Sequence, residues 1–283
     1  MASHPASVLQ PAVAGTWYPA KPDDLASLVD DLLSGPDPAP VQPGARALVA
    51  PHAGFEYSGR VAGLGFRCLP PETNRVLLVG PSHHARFDGA TVPEASAYRT
   101  PLGDVPVDVD AVDRIAGSPA VRRDDRPFRP EHSLEAELPF LQRHLRPGWG
   151  LVPVLIGTVE IPALRRVSQA LAPVFDEGTL AVISSDFTHY GTRFGYVPFV
   201  DRVEERIRSL DQAAIARMVA IDKDGFRRHV EETGATICGR AAIEVLLQLL
   251  DTRCSGRLVA YDTSGRLTGD FRHSVSYAAI LFC

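Results

Sequence analysis

Histidines that follow short apolar runs are the residues of this chain with the clearest chemical potential. The runs and their histidines are 47–50 with His52, 76–79 with His83, and 180–183 with His189. Runs of this length are typical of buried strands. Because ligand sites in open α/β sheets lie at the carboxyl ends of strands, the three imidazoles are expected to meet at one sheet edge. Imidazole is a common metal ligand and a proton acceptor near neutral pH, so the pattern predicts a metal-capable site.

A carboxylate and a thiol accompany these histidines. Asp186 lies three residues before His189, so one turn of chain can place both on one side. There Asp186 would orient the imidazole or raise its basicity; capping of a following helix is the alternative. Cys238 precedes an apolar helical stretch and is followed by Gly239 and Arg240. Since a helix N-terminus and a nearby cation lower a thiol pKa, Cys238 is expected to act as a thiolate nucleophile or a metal ligand.

The roles of two further histidines stay open at this point. His83 and His84 are adjacent, so in an extended segment they point in opposite directions and only one can face His52. His132 and Glu135 have the spacing of a ligand pair on a helix. A place for His132 in the pocket wall, or a contact at the helix start, is the preferred interpretation.

Alternating strand and helix patterns would position these residues. They predict an α/β fold with a mainly parallel central sheet flanked by helices and antiparallel additions at the sheet edges. We predict a single domain over residues 1–283, with 1–13 as an irregular N-terminal extension. Helices are expected at 22–34, 59–69, 107–115, 131–141, 161–173, 201–232 and 241–250, strands at 151–156, 257–262 and 275–282, a hairpin region at 89–108, and a loop at 118–130.

Composition limits the function classes. The 283 residues are 45% apolar and carry a net charge of −5, which argues against non-specific nucleic-acid binding. We expect no signal peptide and no membrane span, since no apolar stretch approaches roughly 18 residues. Four irregularly spaced cysteines favour reduced thiols and a cytoplasmic location. Because serine-hydrolase, nucleotide-phosphate and dinucleotide motifs are absent, those enzyme classes are weak interpretations.

Nine short motifs, in this order and spacing, resemble the Memo family, also called AmmeMemoRadiSam system protein B. They are AGTWYP at 14–19, APHAG at 50–54, GPSHH at 80–84, YRTPLG at 98–103, EHSLE at 131–135, PVLIG at 153–157, SSDFTH at 184–189, TICGR at 236–240 and SVSYAA at 274–279. The resemblance covers nearly the whole chain. Val13 stands where family members often carry histidine.

The resemblance implies a fold like that of the class III extradiol dioxygenases, which use non-haem iron(II). By similarity, His52 and His83 take the two histidine-ligand places and Cys238 takes that of the carboxylate ligand. His189 takes the acid–base place, and Asp186 lines the same pocket. Two histidines and a carboxylate are the pattern of oxygen-activating iron, whereas a cysteine makes the ligand set softer. Iron(II) is the first expectation, copper the second, and zinc the third.

Two functions follow as hypotheses. The first is a metal-dependent oxidoreductase of the dioxygenase-like class; the family name implies work with radical SAM and AMMECR1-type proteins. The second is a non-catalytic adaptor that binds a peptide or small molecule in the same cleft. Trp17 and Tyr18 favour the second hypothesis because aromatic side chains often anchor recognition. The animal family member is known as a phosphopeptide-binding signalling adaptor that has been linked to copper- and iron-dependent redox.

Overall fold

The structure is a computed structural model that describes residues 7–35, 41–157, 160–251 and 253–283. The strands are β1 (Val8–Leu9), β2 (Ala47–Ala50), β3 (Arg75–Pro81), β4 (Ala90–Val92), β5 (Ala97–Thr100), β6 (Gly103–Pro106), β7 (Val121–Arg123), β8 (Gly150–Ile156), β9 (Thr179–Ser184), β10 (His189–Tyr190), β11 (Gly256–Thr263) and β12 (Ser274–Phe282). The α-helices are α1 (Pro22–Ser34), α2 (Phe55–Phe66), α3 (Val109–Ala116), α4 (Leu138–His144), α5 (Ile161–Leu171), α6 (Val203–Val219), α7 (Lys223–Thr233), α8 (Arg240–Leu249) and α9 (Ser264–Thr268). Short 3-10 turns lie at Glu135–Glu137, Ala172–Val174 and Thr192–Phe194.

A mixed sheet forms the centre of the fold. Within the described ranges it has nine strands, in the order β10-β12-β2-β9-β3-β8-β4-β7, with β11 paired to β12. The four central strands β2, β9, β3 and β8 are parallel, whereas β12 joins β2 and β4 joins β8 in the antiparallel sense. The predicted α/β fold, with a parallel core and antiparallel additions, is confirmed.

The central strands are apolar over most of their length because both faces of the sheet are covered. Successive residues enter opposite core layers: Ala47 and Val49 pack into the layer that contains α5 and α8, while Leu48 and Ala50 pack into the layer of α1, α2 and α4. This alternation is the period of two that a strand imposes. Packing on both faces holds the strands in place. It therefore also holds the strand ends from which the site residues project.

Helix α2 begins at Phe55, four residues before the predicted start. The Phe55 N–H donates to the Trp17 carbonyl at 2.9 Å, so the N-terminal segment supplies the first contact of the helix. At Gly63 an added Cβ would lie 2.3 Å from the Leu32 carbonyl oxygen. Glycine is therefore required where α2 crosses α1.

Two predictions about local structure are wrong, and part of a third differs. No α-helix opens at Glu131; a 3-10 turn at Glu135–Glu137 leads into α4, because the Glu131 side chain accepts from nearby backbone N–H groups and competes with a helix start. The expected loop at 118–130 contains β7, an edge strand whose charged residues face solvent. Residues 8–9, expected to be irregular, pair with β5; residues 1–6 lie outside the described residues.

No described helix is both long and apolar enough to span a bilayer. The single-domain boundary over 1–283 stays a prediction.

Candidate metal centre

The carboxyl ends of β2, β3 and β9 open into one cavity of about 840 Å³. His52 follows β2, His83 follows β3, and Asp186 and His189 follow β9. All four line the cavity, together with His132. The parallel register of the central strands thus gathers the residues that the sequence singled out.

Three imidazoles at this edge form a group that could hold a metal ion. The ligand atoms of His52, His83 and His132 all lie within 4.8 Å of one another. The His52 ring stands nearly perpendicular to the other two rings, whereas His83 and His132 are stacked at 4.6 Å between centroids. His132, assigned to the pocket wall or a helix-start contact, lines the wall and is also a member of this group.

The Nδ1 atoms of two of these rings are occupied by neighbours. His83 Nδ1 lies 2.9 Å from Glu131 Oε1, and His52 Nδ1 lies 2.7 Å from Ser184 Oγ. With Nδ1 engaged, Nε2 is the nitrogen left for a ligand in each ring. Partners of this kind orient metal-binding histidines and fix their tautomers.

Glu131 is the anionic residue behind the group. Its side chain is 1% exposed, and burial opposes its ionisation. Hydrogen bonds and charge from His83, with the Ser133 N–H, outweigh that burial and lower the pKa of Glu131 to about 2. A fixed negative charge therefore lies directly behind His83.

Burial keeps the other two rings neutral. It lowers the pKa of His52 well below its usual value, and the neighbouring imidazoles act in the same direction. At His132, burial lowers the pKa of the ring to about 4, because it outweighs the opposing effect of the negative charge on Glu131. Neutral imidazole is the form that binds metal ions, so His52 can act as a ligand near pH 7 without losing a proton.

Cys238 lies beside this group, at the end of the loop that leads into α8. Its Sγ is 3.4 Å from His52 Nε2 and accepts the Asp186 N–H at 3.2 Å. It is not a member of the three-imidazole group. Burial and the Asp186 carboxylate raise the pKa of the Cys238 thiol far above its ordinary value. The predicted lowered pKa is therefore wrong, because Arg240 is exposed to solvent and does not offset the burial.

His189 and Asp186 adjoin the group on the β9 side. His189 Nδ1 lies 2.9 Å from the Thr236 carbonyl oxygen, which can only accept, so the proton is on Nδ1 and Nε2 is free to accept one. Asp186 Oδ1 accepts the His52 N–H at 2.9 Å. Burial, opposed by His189, raises the pKa of Asp186 to about 6. Strand β10, not a helix, begins at His189, so Asp186 does not cap a helix.

The spacing of His132 and Glu135 allowed a ligand pair, but the contacts of Glu135 give it a different role. Its carboxylate accepts the backbone N–H groups of Ala12 and Val13 and the Tyr18 hydroxyl. These bonds hold the N-terminal segment across the cavity rim, where Trp17 packs on His132 at 4.2 Å between ring centroids. Glu135 therefore positions the rim and does not face the imidazoles.

Some residues of the site carried no signal in the sequence. Glu131 lies in a stretch with a helical pattern, where an acid reads as an ordinary first-turn residue. Ser184 looks like the polar end of a strand, yet it is fully buried beneath His52. His84 is exposed, with its ring centroid 5.7 Å from that of His132.

Comparisons with known proteins bear on the fold and the family of the chain. A solved structure described as an uncharacterized protein of Escherichia coli K12 matches with a TM-score of 0.56 over 83% of this chain and 98% of that chain; at 14% identity it supports the fold alone. A MEMO1 family protein of Methanopyrus kandleri is 32% identical, covering 96% of this chain and 98% of its own. The protein memo-1 homolog of Caenorhabditis elegans is 33% identical, covering 95% and 81%. The family model described as Memo-like protein matches residues 10–281, and the chain therefore belongs to the Memo family.

Proposed function

We propose that this protein is a metal-dependent oxidoreductase whose metal ion is held by His52, His83 and Cys238. The observation that carries the proposal is the convergence of three imidazoles at one cavity, with the Cys238 thiol 3.4 Å from His52 Nε2. The donor set fits a transition metal, since imidazole and thiolate ligands suit iron, copper and zinc.

The spacing of Cys238 and His52 supports the choice of sulfur as a ligand. Metal–sulfur bonds of about 2.3 Å and metal–nitrogen bonds of about 2.0 Å place the two donors about 3.1 Å apart at a right angle and about 3.5 Å apart at the tetrahedral angle. The observed separation of Sγ and Nε2 is 3.4 Å. The two atoms, which make a hydrogen-bonded contact here, are therefore close enough to share one ion.

The stacking of His132 on His83 disfavours His132 as a ligand together with His83. Their planes are inclined by only 13°. Rings in contact are separated by about 3.5 Å, so an ion in the plane of one ring lies well outside the plane of the other. The lone pair of an imidazole nitrogen lies in its ring plane. His132 accordingly serves as a packing neighbour of His83 and as part of the pocket wall.

His189 would act as the proton acceptor. Its Nδ1 donates to Thr236, which leaves Nε2 to take a proton from a substrate in the cavity. Asp186 positions the His52 backbone and lies in the same cavity. When bound, iron(II) supplies a redox-active Lewis acid with ligand positions left for substrate; copper is the second choice and zinc the third.

Anaerobic metal binding tests the ligand assignment. Calorimetry and metal analysis after loading with iron(II), copper(I) or zinc are expected to give one ion per chain, with His52→Ala and Cys238→Ser each weakening binding at least tenfold. His132→Ala is expected to retain the ion. His144→Ala is the matched control because His144 is a partly buried histidine that bonds the Leu69 carbonyl, outside the cavity lining. Loss of the ion in His132→Ala but not in Cys238→Ser would contradict the assignment.

A second candidate function, an adaptor that binds a peptide or partner in the same cleft, has support at the rim. Trp17 lines the cavity mouth beside Tyr57, whose surface is 37% exposed. Radical SAM and AMMECR1-type proteins are the proposed partners, in the cytoplasm. Pull-downs with wild type, Trp17→Ala and Cys238→Ser separate the two functions. Partner binding that needs Trp17 but not Cys238, without oxygen consumption by the iron-loaded protein, would favour the adaptor.

A further inference from the structure

Glu137 is a buried glutamate that the proposed chemistry does not use. Its side chain is completely buried in the 3-10 turn before α4. Glu137 Oε1 lies 2.8 Å from Ser184 Oγ, the same hydroxyl that contacts His52 Nδ1 at 2.7 Å. A third neighbour, the Ser133 carbonyl oxygen, lies 2.6 Å from Ser184 Oγ. Three polar atoms thus surround one hydroxyl group.

Proton counting determines how these contacts are made. A hydroxyl donates one hydrogen bond and accepts two. The Ser133 carbonyl can only accept, so the single proton of Ser184 is required there, at the shortest of the three contacts. Ser184 Oγ must then accept from both other neighbours. His52 therefore carries its proton on Nδ1, and Glu137 carries a proton on Oε1.

The second oxygen of Glu137 points to the same protonation state. Within the described residues, Glu137 Oε2 is buried and has no hydrogen-bond partner. An ionised carboxylate with an unpaired oxygen in a dry interior costs far more free energy than the carbonyl oxygen of a neutral acid. Burial and the nearby Asp186 carboxylate also raise the pKa of Glu137 well above its usual value.

We propose that Glu137 is a neutral carboxylic acid that donates to Ser184, and that this Ser184–Glu137 pair is a positioning unit that fixes His52 as the Nδ1–H tautomer. The His52 Nε2 lone pair then faces Cys238 and the metal position. The role of this pair deepens the proposed function. The value of the pair for metal binding rests on that proposed function. Neither residue touches the metal position, so both act through His52.

The proposal predicts a difference between Glu131 and Glu137, two of the three buried glutamates of this segment. Glu131 receives four contacts from N–H groups and is ionised behind His83. Glu137 makes one contact, to a hydroxyl that must accept, and is neutral behind His52. His52 is thereby oriented through a neutral hydroxyl and a neutral acid, whereas His83 is oriented by an anion.

Nitrogen-15 NMR of the metal-free protein tests the tautomer directly. In histidine-labelled wild type, two-bond proton–nitrogen correlations are expected to show His52 with a protonated Nδ1; the signal is assigned by its absence in His52→Gln. Ser184→Ala removes the acceptor, so the Nε2–H form that free histidine favours is expected to gain population. The same variant is expected to weaken metal binding by about 10–100-fold. Ser168→Ala, which removes another buried serine hydroxyl, in α5, is the control.

Glu137→Gln tests the protonation state. A side-chain amide replaces the acid as donor to Ser184, so the His52 tautomer is expected to stay unchanged and metal affinity to stay within about threefold. The infrared difference spectrum, wild type minus variant, is expected to show the carbonyl stretch of a protonated carboxylic acid. An ionised-carboxylate band in its place, or a protonated His52 Nε2 in wild type, would overturn the proposal. These spectra are recorded without metal, so they remain decisive even if metal binding itself fails.

Discussion

Replacing Glu131 with glutamine removes the ionised carboxylate that lies directly behind His83. In wild type, Oε2 accepts from the His83 backbone N–H, while Oε1 accepts from the His83 ring. Oε1 also accepts the N–H groups of His132 and Ser133. A glutamine offers one oxygen to these donors and turns an N–H group toward the others. The variant therefore loses the negative charge and brings the glutamine N–H group against N–H groups that had donated to Glu131.

The size of the effect follows from the pKa of Glu131. Its fall from 4.5 to about 2 corresponds to about 3 kcal/mol of folding free energy. Because the side chain is 1% exposed, solvent screening does not reduce this figure. The folded-state pKa is depressed, so this stability is fully present above pH 4.5 and is lost as the pH falls towards 2.

Urea unfolding of the metal-free proteins at pH 7, 5, 4 and 3 measures this contribution. At pH 7 we expect Glu131→Gln to have a free energy of unfolding lower by about 3 kcal/mol. The difference from wild type should narrow below pH 4.5 as the wild-type carboxylate gains a proton. A variant as stable as wild type at pH 7, or a difference that is constant from pH 7 to 3, would refute the reasoning.

Glu137→Gln is the matched control, a second buried glutamate six residues along the chain. Burial raises the pKa of Glu137, so its contribution to stability is present below pH 4.5 and is lost as the pH rises. The free energy of unfolding of wild type, minus that of Glu137→Gln, should therefore decrease as the pH rises from 4.5 to 7. The two variants are expected to have opposite pH dependence, which a general loss of packing would not produce.

Three further substitutions test the surroundings of the site. Gly63→Ala places a Cβ 2.3 Å from the Leu32 backbone oxygen, so thermal and urea unfolding should show a loss of about 1–3 kcal/mol. Tyr18→Phe removes the hydroxyl that donates to the Glu135 carboxylate; we expect a loss of about 1–3 kcal/mol and faster amide exchange in the N-terminal segment. Folding lowers the pKa of His132 from 6.5 to about 4, so the neutral ring contributes fully to stability above pH 6.5 and this contribution is lost towards pH 4. In urea unfolding, His132→Asn should remove about 3 kcal/mol of the pH dependence of the free energy of unfolding.

Controls for these variants come from the same chain. Gly117→Ala, where the nearest atom to an added Cβ is 3.5 Å away, should be close to neutral; equal losses at Gly63 and Gly117 would contradict the packing argument. Tyr57→Phe alters a partly exposed rim tyrosine and should leave amide exchange near Tyr18 unchanged. An unaltered pH profile in His132→Asn would show that burial does not depress the pKa of that ring.

The strand-end histidines could be predicted because two simple rules act together. Apolar runs of four residues fix a buried strand, and parallel strands bring their carboxyl ends to one edge. The positions of His52, His83 and His189 follow from these rules without knowledge of any tertiary contact. The α/β fold class follows in the same way from the alternation of strands and helices.

Tertiary contacts decided what the sequence could not show. His132 reaches the group from a segment outside the sheet, whose path is set by the bonds of Glu131 to the loop after β3. The thiol of Cys238 precedes a helix as expected, but the decisive influence on its pKa is burial, which local spacing does not encode. Local rules located the reactive side chains and left their charge states open.

Charge balance connects these states to metal binding. Glu131 contributes one negative charge behind His83, and Asp186, with a pKa of about 6, contributes a second beside His52 near pH 7. Cys238 would add a third on losing its proton to become a ligand. Because burial makes uncompensated charge costly, a cation at this edge of the sheet would offset these anions. A neutral Glu137 keeps a fourth fixed anion out of the same buried region.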